Sequence, residues 1–176
     1  MTVTGEAPCR AVGKAGSVAR MKLYFAGPLF TTAERAFNKQ LADRLAAGGH
    51  EVLLPQERGP GDDATAGEGS DARVRSMSAR EILLKNKRDL DAADAVVAIM
   101  EGPDPDSGTA WECGYAYALG KPTILLRTDF RSVGDLSGST YNAMLTGSAD
   151  AHLELPLASV EEAGVALLRA LDALER

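Results

Sequence analysis

Ala95-Val96-Val97-Ala98-Ile99-Met100 is an unbroken apolar run. A polar stretch and then Asp106-Ser107-Gly108-Thr109-Ala110-Trp111-Glu112-Cys113-Gly114 follow it, and Pro122-Thr123-Ile124-Leu125-Leu126 comes next. The order reads as strand, polar loop, helix, strand. The loop and the start of the helix fall at the carboxyl end of the first strand, where open α/β sheets bind ligands. Glu112 is assigned to the first turn of the helix, where the dipole favours an ionised carboxylate by ~0.3–1 kcal/mol on an exposed surface. A carboxylate kept anionic in a crevice is a candidate nucleophile.

The same alternation extends outward in both directions. Lys22-Leu23-Tyr24-Phe25-Ala26 predicts a strand stopped by Gly27-Pro28, and Thr31-x-x-Glu34 is a capping box that opens a helix. Phe37, Leu41 and Leu45 give that helix one buried stripe, and Gly48-Gly49 ends it. Glu51-Val52-Leu53-Leu54 predicts a second strand closed by Pro55. Residues 56–75, rich in Gly, Asp and Glu, form a long loop of the kind reserved for function or disorder. Ser78-x-x-Glu81 caps a helix that runs to about Ala92 and feeds the strand at 95–100. After the strand at 122–127 come a polar loop, a helical turn at Tyr141–Leu145, an edge strand at His152–Leu157, and a last amphipathic helix capped by Ser159-x-x-Glu162. Strands alternating with helices predict an α/β fold: one doubly wound, flavodoxin/Rossmann-like parallel sheet of about five strands with helices on both faces, in a single domain. That domain is expected to span 21–176. Residues 1–20, without periodicity, are expected to be a flexible and dispensable extension; Gly13-Lys14 there is followed by Ala15 rather than Ser or Thr, so it does not read as a phosphate loop.

With 176 residues, 45% of them apolar, the chain holds enough material for one core. A net charge of −6 without a Lys/Arg cluster argues against a nucleic-acid polymer as partner. Two cysteines, Cys9 and Cys113, make no disulfide framework, and the two histidines, His50 and His152, stand at no metal-ligand spacing, so neither a metal nor another cofactor is expected. No stretch approaches the ~20 apolar residues that span a bilayer, and no apolar leader opens the chain. A cytoplasmic protein is the resulting expectation.

Three segments should converge because each follows a strand end: Tyr24 through Phe30, Gln56 onward, and Asp104 to Glu112. Asp89 lies one helix earlier, on a face shared with Ile82 and Asn86 by three- and four-residue spacing. A nucleophilic Glu, an acid able to protonate a leaving group and a phenol to hold the nucleophile would together make a double-displacement site. Taken singly, each residue has a plainer reading: Glu112 as a dipole complement, Asp106 as a helix cap, Asp89 as part of a solvated charged face, Tyr24 as core, Gln56 as loop, Trp111 as packing and Cys113 as a small buried thiol.

The set as a whole resembles the nucleoside 2-deoxyribosyltransferase family over residues 21 to about 150. The likeness rests on Leu23 through Phe30, Asn86-Lys87-Arg88-Asp89-Leu90, Asp106 through Ala116, Gly120-Lys121-Pro122 and Asn142-Ala143-Met144. The resemblance implies the strand order of a doubly wound sheet, a homodimer or higher homo-oligomer with a shared active site, and base exchange between 2′-deoxynucleosides and free nucleobases with retention. Glu112 would attack C1′, Asp89 would help protonate the departing base, and Tyr24 would orient Glu112. Asp106 would bind the sugar hydroxyls. Phe30 and Gln56 would contact the base, with Gly27 in the same loop, and Asn142 and Met144 would close the 5′ side from a neighbouring subunit. Two alternatives stand beside this one. One is a hydrolase cutting 2′-deoxynucleoside 5′-monophosphates, with Ser139, Thr140 or Arg35 near the phosphate; Asn142 at the 5′ position resembles the transferases instead. The other is a non-catalytic nucleotide-binding module.

Overall fold

The computed structural model describes residues 20–58, 77–131, 134 and 140–174. The expected N-terminal extension, most of the loop at 56–75 and Ser139 lie outside the described residues. The elements are β1 (Lys22–Ala26), α1 (Thr32–Ala47), β2 (Glu51–Leu53), a 3-10 turn (Pro55–Glu57), α2 (Ala79–Ala92), β3 (Ala95–Ile99), α3 (Ser107–Ala118), β4 (Thr123–Arg127), α4 (Ala143–Ser148), β5 (Ala151–Glu154) and α5 (Val160–Leu174).

All five strands are parallel, in the order β2-β1-β3-β4-β5. Side chains alternate between two cores, as strand geometry requires. Leu23, Phe25, Val97, Ile99, Ile124 and Leu126 pack with Leu41 and Leu45 of α1 and Leu167 and Leu171 of α5. Tyr24, Ala26, Val96, Ala98 and Leu125 pack on the opposite face with Leu90 of α2, Cys113 and Ala116 of α3 and Leu145 of α4. The expected doubly wound architecture is therefore the observed one. Chain direction across the sheet reverses between β1 and β3, and the crevice outside their carboxyl ends is where such sheets take ligands.

The capping boxes form as expected. Thr31 Oγ1 accepts from Glu34 N (3.2 Å) while the Glu34 carboxylate accepts from Thr31 N (2.8 Å), and Ser78 and Glu81 repeat the exchange. One expectation shifts. Asp106 is the N-cap of α3, accepting from Thr109 N at 2.9 Å, so the helix begins at Ser107 and Glu112 falls in its second turn rather than its first. At that depth along the helix the dipole has little hold on the carboxylate.

Candidate functional site

Two strand ends and two helices bring the chemistry together. Tyr24, at even parity in β1, points to the face covered by α2 and α3, where its hydroxyl donates to Glu112 Oε1 at 2.5 Å. Asn86 Nδ2 of α2 donates to the same oxygen at 3.1 Å. Oε2 accepts from none of the described residues, and Glu112 lines a cavity of about 240 Å³. One carboxylate oxygen is thus clamped and the other is left to whatever enters. The cavity lies just under the roughly 300–1,000 Å³ usual for small-molecule sites, room for little more than one nucleoside-sized ligand.

Burial governs the charge here. Glu112 is only 8% exposed, and desolvation pushes its pKa up to about 7, against the hydrogen bonds from Tyr24 and Asn86 and the charge of Lys85, which pull it down. The helix start does not hold this carboxylate anionic, contrary to the sequence expectation, because removing the group from water outweighs a dipole one turn away. Tyr24 is raised well above its usual value by its own burial and then by the charge of Glu112, so its hydroxyl stays a donor. Cys113 is pushed up to about 12 by burial, and its thiol is inert at neutral pH.

Phe30, Gln56, Asp106 and Gly27 line the cavity with Glu112. Gly27 runs so close to β3 that a Cβ there would stand 3.1 Å from Ile99 Cβ, which accounts for the glycine. Phe30 is 75% exposed, a ring free to lie over a ligand. Asp106 spends Oδ2 on Thr109 N and Oγ1, and Oδ1 bonds none of the described residues. The turn that delivers Asp106 is pinned from β4: the buried Arg127 guanidinium donates to Met100 O, Gly102 O and Arg131 O, with Gly102 at φ +97, a conformation glycine adopts without strain. Gln56 is buried with its amide already engaged, Nε2 donating to Arg35 O (2.8 Å) and Oε1 accepting from Asn38 (3.4 Å), so it supports the wall more than it reaches into the space.

Asp89 is buried as well, but it is not a wall residue. Arg58 faces it in bidentate fashion, Nε to Oδ2 at 3.1 Å and Nη2 to Oδ1 at 3.2 Å, and Lys85 Nζ stands 3.7 Å from Oδ2. Both oxygens therefore accept, which is the arrangement of an ion pair. Sequence reasoning placed Asn86 on this face without a role and gave none to Lys85 or Arg58. The stripe Ile82–Lys85–Asn86–Asp89 was a usable signal; for Arg58, far ahead of α2 in the sequence, there was none.

Asn142 and Met144 lie elsewhere. They line a larger cleft of about 700 Å³ with Ser107, Ala110, Gly114 and Tyr117, on the other side of α3 from Glu112. Met144 is 80% exposed, and Asn142 caps α4 through Met144 N at 2.9 Å. Within one chain these two do not meet Glu112. The chemistry favours the smaller cavity, since the larger cleft contains neither the clamped carboxylate nor its donors. Among the described residues no cluster of His, Cys, Asp or Glu is arranged to hold a metal, and no helix is long and apolar enough to cross a membrane.

A family model described as nucleoside 2-deoxyribosyltransferase matches residues 23–144. Comparison with curated proteins finds no match. Among solved structures, a conserved protein of Enterococcus faecalis V583 is 27% identical, with 89% of this chain and 99% of that one covered and a TM-score of 0.64. A 2-deoxyribosyltransferase from Leishmania mexicana is 25% identical (84% and 97% covered, TM-score 0.58). A CMP N-glycosidase of Clostridium botulinum is 20% identical (87% and 98% covered, TM-score 0.54), a likeness of fold alone.

Proposed function

The chain belongs to the nucleoside 2-deoxyribosyltransferase family, and from that premise we propose that it moves a 2-deoxyribosyl group between nucleobases by a retaining double displacement. The observation that carries the reading is the clamp on Glu112: Oε1 held by Tyr24 and Asn86, Oε2 open to the cavity. Loss of a base from the sugar passes through an oxocarbenium-like state, which a nearby carboxylate both stabilises and traps as a glycosyl ester. Burial leaves the Glu112 carboxylate poorly solvated and hence more nucleophilic than an exposed one. Tyr24 and Asn86 hold its orientation through the oxygen that does not react.

In this reading Asp106 Oδ1 takes a sugar hydroxyl, and Phe30 lies against the base. Gln56 keeps that wall in place through Arg35 and Asn38. Asn142 and Met144, displaced from Glu112 within one chain, close the 5′ side of a second subunit's site, which makes a dimer or larger assembly the working form. Asp89 helps set the charge on the base side through its pairing with Arg58 and Lys85. The setting is cytoplasmic nucleotide salvage.

The test is chromatography of the purified protein with deoxyinosine, with and without adenine. Deoxyadenosine formed only when adenine is supplied is the expected result. Hypoxanthine and free deoxyribose without a new nucleoside would replace transfer by hydrolysis, with 5′-monophosphates as the next substrates.

A further inference from the structure

Apart from Glu112 and Asp106, much of the cavity wall is apolar: Leu29, Phe30, Pro55, Met77 and Ile82. Lys85 is the one cation among the described residues lining it. Its side chain is only 6% exposed, and the groups around its ammonium are acceptors: Asn86 Oδ1 at 3.2 Å, Pro55 O at 3.5 Å and Asp89 Oδ2 at 3.7 Å. An ammonium carries three donor hydrogens. Only the Asn86 contact has an ordinary hydrogen-bond length; the other two are long, so the group keeps capacity for an acceptor that enters the cavity. The two amides of the wall are already engaged at both ends, Gln56 with Arg35 and Asn38, Asn86 with Lys85 and Glu112. Pro55 O belongs to the 3-10 turn that carries Gln56, so the ammonium stands against the base wall, and the Asn86 amide separates it from the nucleophile. A base hung from a sugar carbon at Glu112 therefore turns a ring edge, rather than its glycosidic nitrogen, toward Lys85.

Resting on the reading of this site as a base-exchanging centre, we propose that Lys85 is a specificity-determining residue that selects 6-oxopurines, hypoxanthine and guanine, over adenine. A 6-oxopurine presents O6 beside N7, two acceptors on one edge; adenine presents N7 beside the N6 amino group, a donor. The Lys85 ammonium has hydrogens to give and no lone pair to receive one. It therefore donates to O6 of an oxopurine. Against adenine it meets donor with donor, and an N–H of the buried cation and one of the amino group are both left without an acceptor. A site built to bond a polar substituent discriminates more sharply than an apolar pocket does, because the mismatched groups have given up water for nothing. Asn86 and Asp89 hold the ammonium at its place in the wall. Adenine remains a substrate, used less efficiently, and no proton moves in the act of selection.

The experiment measures kcat/KM for three donors that differ only at C6, with 6-methylpurine as the common acceptor: deoxyinosine, deoxyadenosine and the 2′-deoxyriboside of unsubstituted purine. In a double displacement this ratio reports the half-reaction that forms the glycosyl ester, whatever the acceptor. Wild type is expected to favour deoxyinosine over deoxyadenosine by about tenfold or more, the size of one hydrogen bond to a charged group. Lys85→Met should lose about 10–100-fold on deoxyinosine and stay within about threefold of wild type on the other two donors, so that the preference collapses. Lys85→Gln, whose amide both donates and accepts, should level the two donors in the same way if Lys85→Met folds poorly. Equal losses on all three donors in a folded variant would reduce Lys85 to a structural role and overturn the proposal. So would a wild-type enzyme that uses deoxyadenosine as well as deoxyinosine, a result that needs no variant. Wild-type protein that forms no 6-methylpurine nucleoside from any of the three would instead overturn the base-exchange reading itself, and the proposal with it.

Discussion

Replacing Glu112 by Gln separates the cost of the site from its use. Both clamping donors, Tyr24 Oη and Asn86 Nδ2, converge on Oε1, so a glutamine that presents its carbonyl oxygen there keeps both bonds and loses only the charge. The Glu112 pKa is raised from 4.5 to about 7 because the anion is desolvated. Below pH 4.5 the group is protonated in folded and unfolded chains alike and has no effect on stability. Between 4.5 and about 7 the folded state keeps a proton that the unfolded state has released, so wild-type stability falls as pH rises. Above about 7 the whole penalty is present. At roughly 1.36 kcal/mol per pKa unit, Glu112→Gln should be more stable than wild type by up to about 3 kcal/mol at pH 8, and no more stable at pH 4. For a chain of this size that corresponds to a Tm gain of roughly 6–12 °C. Thermal melts of both proteins across pH 4–9, with base-exchange assays on the same samples, provide the test. A gain in Tm confined to high pH, together with lost turnover, is expected. A variant as stable as wild type at pH 8, or stabilised equally at every pH, would show that burial does not set the charge of Glu112.

Two further substitutions probe the surroundings. Tyr24→Phe removes a hydrogen bond that lowers the Glu112 pKa, so the acid limb of kcat/KM should move to higher pH, with a loss of roughly 10–100-fold near pH 6, as for a bond to a charged group; an acid limb that stays in place would refute the clamp. Arg58→Met leaves Asp89 buried with only Lys85 at 3.7 Å, and because Arg58 is partly exposed the cost should be about 2–3 kcal/mol, below that of a fully buried pair. Replacing Asp89 by Leu in the same protein should recover most of that loss in Tm, and a single variant that melts with wild type would refute the pairing.

Most of the architecture was open to sequence reasoning because its causes are local. Capping boxes at Thr31 and Ser78 depend on side chains three residues apart, and the unbroken apolar runs at 95–99 and 124–126 report burial on both faces. Placing helix starts was less secure: Asp106 as the cap of α3 moved Glu112 to the second turn. The approach of the Tyr24 and Glu112 segments, 88 residues apart, followed from the rule that ligands lie at strand ends, and the contact between the two side chains from the family resemblance. The identity of the second donor to Glu112, the Arg58–Asp89–Lys85 cluster and the engaged amide of Gln56 did not follow. Each depends on how α2, the 3-10 turn and α3 sit against one another across long connections. The ionisation of Glu112 is the sharpest case. Sequence placed a carboxylate near a helix start, which argues for an anion; the packing of β1, α2 and α3 around it took away its water, and the loss of solvation outweighs the dipole. Residue types, spacing and helix–strand order determine where an acid stands along the chain. Its charge at neutral pH is decided by the volume of protein around it, which only the assembled layers possess.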